Sequence, residues 1–293
     1  MSVRKDILGN YRLLRLIRAG QTCQIWESFD LRDERRVAVK TPVPDHRENP
    51  DEIAYLKHEV EVAKDFKHPN LIEVYEFDMD RNYPFLALQF FNSKNMKQSM
   101  DKKGHSYLHL ATEILSGAAE SLRYMHEQGW VHCDVKPDNF LVSETGEVKL
   151  IDFAISQKPK TGLAALFGGK KKIQGTRSYM SPEQIEGKNL DYRADIYSLG
   201  CVIFEFLTGK TPFTGVNPDE LLLKHLKAPI PQLVASNPDL TPEINALVMK
   251  MMAKKREDRP LQMKDVAKEI RNTNIFRVGK RPTAASRVVE SQQ

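Results

Sequence analysis

Apolar and β-prone residues come in short runs along the first third of the chain, at 13–17, 24–29, 36–40, 71–77 and 85–91. Runs of this length predict strands. One helix is predicted among them. Asn49 can cap it by accepting an unpaired backbone N–H, Pro50 suits a first helical position that needs no N–H, and Glu52 puts an acid where the helix dipole is positive. It is predicted to run to about Phe66 and to stop at His68-Pro69-Asn70.

After Asn92 the period changes. Leu108, Ala111, Leu115, Ala118, Leu122 and Met125 recur at helical spacing with Gly129 behind them, which predicts a long amphipathic helix closed by a glycine cap. Further helices are predicted over 192–207, closed by Gly209, and over 218–226, 242–253 and 262–271. There is no internal repeat. From about Val278 the period fades into Gly, Lys, Arg, Pro, Ser and Gln, the pattern of a tail. The chain therefore reads as α+β, with a mainly β first part and a mainly α second part.

Composition narrows the function classes. With 41% hydrophobic and 28% charged residues the 293-residue chain is of globular type, which excludes a mostly disordered protein. Its net charge of +5, from 44 basic and 39 acidic residues interspersed along the chain, does not point to nucleic acid. Lys170-Lys171-Lys172 has no interleaved aromatics and reads as a solvated loop. Cys23, Cys133 and Cys201 lie far apart with no metal-ligand spacing, which suits a reducing, cytoplasmic setting. The N-terminus lacks the apolar core of a signal peptide, and the most apolar stretch, 199–207, is short and interrupted by Glu205, so no membrane span is expected.

Candidate chemistry lies in three places. Val37-Ala38-Val39-Lys40 ends an apolar strand in a lysine; alone it reads as a side chain snorkelling to water, but a buried ammonium there needs a phosphate or a carboxylate. His132-Cys133-Asp134-Val135-Lys136-Pro137-Asp138-Asn139 puts two oxygen ligands, Asp134 and Asn139, on a loop, because Pro137 blocks a regular helix. Lys149-Leu150-Ile151-Asp152-Phe153 ends another apolar strand in a carboxylate. In this order and spacing the motifs resemble the catalytic and metal-binding loops of eukaryotic-type serine/threonine protein kinases, including the bacterial members of that family. Gly175-Thr176-Arg177-Ser178-Tyr179-Met180-Ser181-Pro182-Glu183 resembles the segment that closes the activation loop, and 191–200 resembles the central helix of the large lobe.

The resemblance covers residues 11–273 and implies a two-lobed α+β fold: a small, mainly β lobe over 11–91 with one key helix, a larger, mainly α lobe over 92–273, and a flexible tail over 274–293. It implies ATP-dependent phosphorylation of protein substrates with Mg2+, or Mn2+ in its place. No nucleic-acid or membrane partner is expected, and no oligomeric state follows. In that scheme Lys40 holds phosphates and pairs with Glu59, which lies nine residues before His68. Glu61 is the rival, but two positions turn it about 200° around a helix. Asn139 and Asp152 hold the metal, Asp134 acts as base, Lys136 neutralises the transferred group, and Lys136 and Thr176 fit serine/threonine specificity. Ile17, Gly20, Ile25, Ala38, Gln89, Phe91 and Leu141 surround the nucleotide with Leu88 behind it, and Glu183 with Arg259 forms a structural ion pair.

The pattern is also broken in places. Arg18-Ala19-Gly20-Gln21-Thr22-Cys23 keeps one glycine where the family has three, Ala154 replaces the glycine after Asp152-Phe153, and Cys133 replaces an arginine. Three readings follow: an active serine/threonine kinase, which the retained catalytic residues favour; a pseudokinase that binds nucleotide or partners; and a small-molecule phosphotransferase. Asp138 alone suggests a mild preference for basic peptides, and Thr283 and Ser286 are candidate autophosphorylation sites. Loss of the arginine at Cys133, with Lys172 where a phosphate is often carried, suggests that Thr161 phosphorylation is not required and that the apolar run 163–167 orders the loop by burial instead.

Overall fold

The computed structural model describes residues 6–100, 107–159 and 174–282. Thr161, the run 163–167, the three lysines from Lys170, Thr283 and Ser286 lie outside them. Backbone proximity divides the chain into a sheet unit, running to Asn92 and including Asp152–Ile155, and a helical unit made of the rest.

The sheet unit is a six-stranded antiparallel sheet of β1 (Ile7–Leu8), β2 (Tyr11–Ala19), β3 (Cys23–Asp30), β4 (Arg36–Pro42), β5 (Val74–Asp80) and β6 (Tyr83–Gln89), in the order β1-β2-β3-β4-β6-β5. Its core gathers Leu8, Tyr11, Val37, Val39, Phe85 and Ala87, with Tyr11 edge-on to Phe85 at 5.6 Å. Because side chains alternate along a strand, burying Val37 and Val39 on one face of β4 sends Ala38 and Lys40 to the other. Helix α1 (Pro50–Ala63) starts as the sequence predicts, with Asn49 accepting from the Asp51 amide at 2.9 Å. It turns Leu56, Glu59, Val62 and Ala63 inward, a face spaced for one helical stripe and closed by a carboxylate.

Several predicted boundaries move. The helix ends at Ala63, short of Phe66, and β5 begins at Val74 instead of Leu71. Leu71 and Ile72 are buried and the Leu71 amide turns back to the His68 carbonyl at 3.0 Å, so this apolar run lies ahead of β5. β6 likewise ends at Gln89, leaving Phe90 and Phe91 outside the strand.

The helical unit is built around α5 (Arg193–Thr208), which is buried from Ala194 to Leu207 and ends on Gly209 at φ 73°. The other elements are β7 (Lys94–Asn95), α2 (Met96–Ser99), α3 (Ala111–Glu127), β8 (Phe140–Val142), β9 (Val148–Leu150), α4 (Pro182–Ile185), α6 (Pro218–Lys227), α7 (Leu233–Ser236), α8 (Pro242–Met251) and α9 (Met263–Asn272). α9 packs on α3, and α8 packs on α5. The α5–α8 approach needs Gly200: a Cβ there would stand 2.8 Å from Met252 Cγ. The short elements β7 to β9, α2, α4 and α7 show no period in the sequence because none spans enough residues to set one. Of the expected tail, residues to 282 are described, and Arg281 donates to the His109 carbonyl at 2.8 Å.

Glu183 and Arg259 form a bidentate pair at 2.7 and 2.9 Å, with the Arg259 side chain 0% exposed. Arg259 also donates to the carbonyls of Ala253, Arg193 and Lys254, so its fork is satisfied on every side. That complete pairing is what makes a buried charge tolerable, and it ties α4 to the chain around 253–259.

His225, on α6, is fully buried between Tyr197 and Phe213, with Nδ1 3.0 Å from the Tyr197 hydroxyl. Burial, and then the charge of Lys254, push its pKa down from 6.5 to about 4. The unfolded chain therefore binds this proton at higher pH than the folded one. The stability involved is fully present above pH 6.5 and is lost as pH falls towards 4, roughly 3 kcal/mol in all. Urea unfolding at stepped pH is expected to show a steeper loss over that window for the wild type than for His225→Gln; equal slopes would refute the assignment.

Candidate active site

In the sheet unit, Lys40 Nζ lies 2.7 Å from Glu59 Oε2 and 2.9 Å from Asp152 Oδ1. The Lys40 side chain is 13% exposed and Glu59 is buried. Burial by itself would lower the lysine pKa, but the carboxylates of Asp152 and Glu59 outweigh it and hold the value above the ordinary one, so Lys40 stays charged. Glu59 is raised, chiefly by burial, against the pull of Lys40. Its second oxygen accepts from the Phe153 amide at 3.4 Å. Asp152 has φ 69°, a left-handed conformation that costs a non-glycine residue free energy. The buried Phe153 ring, edge-on to Phe66 at 5.7 Å, packs the segment that carries it. Glu61, the rival, is 69% exposed and faces His58.

In the helical unit, Asp134 is the centre of a second cluster. Its Oδ1 accepts from the Thr176 amide and hydroxyl, both at 2.9 Å. Its Oδ2 accepts from Lys136 Nζ at 2.5 Å and from Asn139 Nδ2 at 3.3 Å. Lys136 also donates to the Thr176 hydroxyl at 3.1 Å, and Asn139 to the Asp134 carbonyl at 2.9 Å. Gly175 permits this closure: it has φ 113°, and a Cβ would come within 3.0 Å of the Cys133 carbonyl. The same carbonyl accepts from Gln184 Nε2 at 2.8 Å.

A residue without an assigned role in the sequence holds the loop. The buried carboxylate of Asp195, in the first turn of α5, accepts from the amides of His132 at 2.8 Å and Cys133 at 3.0 Å, with His126 Nε2 at 2.8 Å. It thereby fixes the backbone at Cys133, which has φ 69°, directly before Asp134. Its signal in the sequence is an acid in the first turn of a mainly apolar helix within the family-like stretch 191–200, which reads equally well as a favourable dipole charge.

Where the family carries an arginine, the buried Cys133 sulfur accepts from Gln157 Nε2 at 3.3 Å. The single glycine of the degraded loop serves the β2–β3 turn. The Gly20 amide donates to the Cys23 carbonyl at 2.8 Å, and a Cβ on it would lie 2.9 Å from that oxygen. Ile17, Gly20, Ile25, Ala38, Gln89 and Phe91 belong to the sheet unit and Leu141 to the helical unit. Asp152 offers a carboxylate that is 36% exposed. Asn139 turns its amide nitrogen to Asp134, which leaves an oxygen as the acceptor of that side chain. Each is a hard oxygen donor of the class that divalent cations accept.

A family model described as protein kinase domain matches residues 11–274. The chain is 33% identical over 245 residues to the serine/threonine-protein kinase PknA of Mycobacterium tuberculosis, covering 82% of this chain and 56% of that protein. It is 31% identical over 265 residues to PknB of Mycolicibacterium smegmatis, covering 88% of this chain and 42% of the relative, and 31% identical over 269 residues to PknB of Mycobacterium tuberculosis, with the same two shares. The chain spans about half the length of these curated relatives.

Lys40 and Glu59 are expected to couple in stability. A double-mutant cycle of Lys40→Met and Glu59→Ala, read by chemical denaturation, should give an interaction of about 2 kcal/mol, as contacting charged groups do. Glu61→Ala should stay within about 0.5 kcal/mol of wild type. Additive losses for Lys40 and Glu59 would break the pairing.

Proposed function

The chain belongs to the protein kinase domain family, and from that membership we propose that it phosphorylates serine and threonine residues of proteins. Protein kinases use ATP and a divalent metal; for this chain the proposal is Mg2+, with Mn2+ able to replace it. The observation that carries the reading is the engagement of Asp134, whose two oxygens are oriented by Thr176, Lys136 and Asn139. A carboxylate fixed in this way is set to accept the proton of an incoming hydroxyl and to keep that oxygen aimed at the phosphorus.

Lys136 has three donors, and its hydrogen bonds to Asp134 and Thr176 leave capacity to meet charge on the group in transfer. Lys40, charged and tethered by Glu59, is the cation for the α- and β-phosphates. Asn139 and Asp152 would hold the metal, which when bound neutralises phosphate charge. Ile17, Gly20, Ile25, Ala38, Gln89, Phe91 and Leu141 are the proposed nucleotide contacts. Lys40, Glu59, Asp134, Lys136, Asn139 and Asp152 are all present, and nothing favours a pseudokinase.

No helix among the described residues is long and apolar enough to cross a membrane. All three cysteines are free, which is in keeping with a reducing compartment, and the cytoplasm is the proposed location.

Asp134→Asn is expected to lower kcat by on the order of 10²-fold or more, assayed with labelled ATP, Mg2+ and a generic protein substrate, while thermal unfolding stays close to wild type. Near wild-type turnover would remove Asp134 from the mechanism, and transfer to small-molecule acceptors alone would change the substrate class. With Cys133 in place of a phosphate-binding arginine, Thr161→Ala should leave the rate within about twofold. A strong loss restored by Thr161→Glu would return the protein to phosphate-switched control.

A further inference from the structure

Glu205 is an anomaly on α5. It stands among Phe204, Phe206 and Leu207, and its side chain is only 5% exposed. A carboxylate so placed needs full pairing. Tyr179 donates its hydroxyl to Oε2 at 2.6 Å, and Lys97 is ion-paired with Oε1. Tyr179 is buried and is held protonated by that burial and by Glu205, so it is a permanent donor. The two partners differ in kind. Lys97 is 47% exposed, on a flexible stem that reaches from solvent into the carboxylate.

This pair borders the catalytic loop. Tyr179 donates its amide to Thr176, which itself binds Asp134. The charge of Asp138, four residues after Asp134, acts on the Tyr179 phenol. Helix α2, which carries Lys97, is fixed by a reciprocal Asn95–Gln98 cap and packs on residues 137–139. Glu205 is thus linked to Asp134 through Tyr179 and Thr176.

We propose that Lys97 is a specificity-determining residue: it fills from within the chain the buried carboxylate that an arginine or lysine of a substrate would otherwise occupy, so the protein does not select basic residues around its target serine or threonine. The proposal rests on the kinase reading above and departs from the mild basic preference that Asp138 alone suggests. A substrate cation must displace an intramolecular one whose effective concentration is on the order of millimolar, and it gains nothing by the exchange. Specificity is a difference of affinities, and here the acidic site is removed from the comparison.

The test uses peptides with one acceptor serine in which each flanking position is set in turn to arginine or alanine. For the wild type the arginine-to-alanine ratio of kcat/KM is expected to stay within about twofold at every position. Lys97→Met uncovers Glu205 and should raise the ratio to roughly tenfold at one position, the scale of a charge-assisted hydrogen bond. Adding Glu205→Gln should return it to near one. A wild type that already prefers arginine about tenfold, or an active Lys97→Met with an unchanged ratio, would overturn the proposal. If Lys97→Met melts too low to assay turnover, the arginine peptide should raise its Tm more than the alanine peptide does, and equal shifts would overturn it as well. A wild type that phosphorylates no peptide defeats the kinase reading, and the binding comparison still decides the role of Lys97.

Discussion

The carboxylate of Asp195 is the fixed point of the helical unit. It sits in the first turn of a helix buried along its length, so the apolar packing of that helix sets its position and no solvent competes for its oxygens. Two consecutive amides of the loop that carries Asp134 and the His126 ring take up those oxygens. Backbone that would otherwise carry unpaired N–H groups in the interior is thereby made affordable, including the left-handed turn at Cys133. Asp134 follows as the next residue, so its backbone position is set in part by a core helix.

The sheet unit solves the corresponding problem differently. Lys40 is placed by strand alternation, Glu59 by the inward stripe of a helix, and Asp152 by a short segment whose neighbour Phe153 is packed against Phe66. Each placement is a consequence of apolar burial next door. Charge then closes the arrangement, because one ammonium between two carboxylates leaves each partner less costly than it would be alone.

This division explains what the sequence could and could not reveal. Lys40, Asp134, Lys136, Asn139 and Asp152 could be named as candidates because the motifs they share with a known family fix both residue type and local spacing. Glu59 over Glu61 was legible because helical geometry separates the two by more than half a turn. Asp195 was not, since its role depends on amides more than sixty residues away. The Lys97–Glu205 pair was not, for the same reason at a separation of 108 residues. Boundaries at Phe66 and Leu71 were misplaced because burial of an apolar run does not say whether its backbone joins a helix, a ladder or neither.

The charged groups fall into two classes by exposure, and the classes differ in what they can do. Arg259 with Glu183, and Asp195 with its amides, have every donor or acceptor engaged away from solvent; exchanging a partner would strand a buried charge, so they define shape. Lys40, Lys136 and Lys97 pair with equally well placed carboxylates but keep part of their surface in reach of water. A lysine ammonium rotates freely and can release one acceptor as it meets another. These lysines can therefore take on a further acceptor without leaving the first, as the roles proposed for Lys40 and Lys136 require.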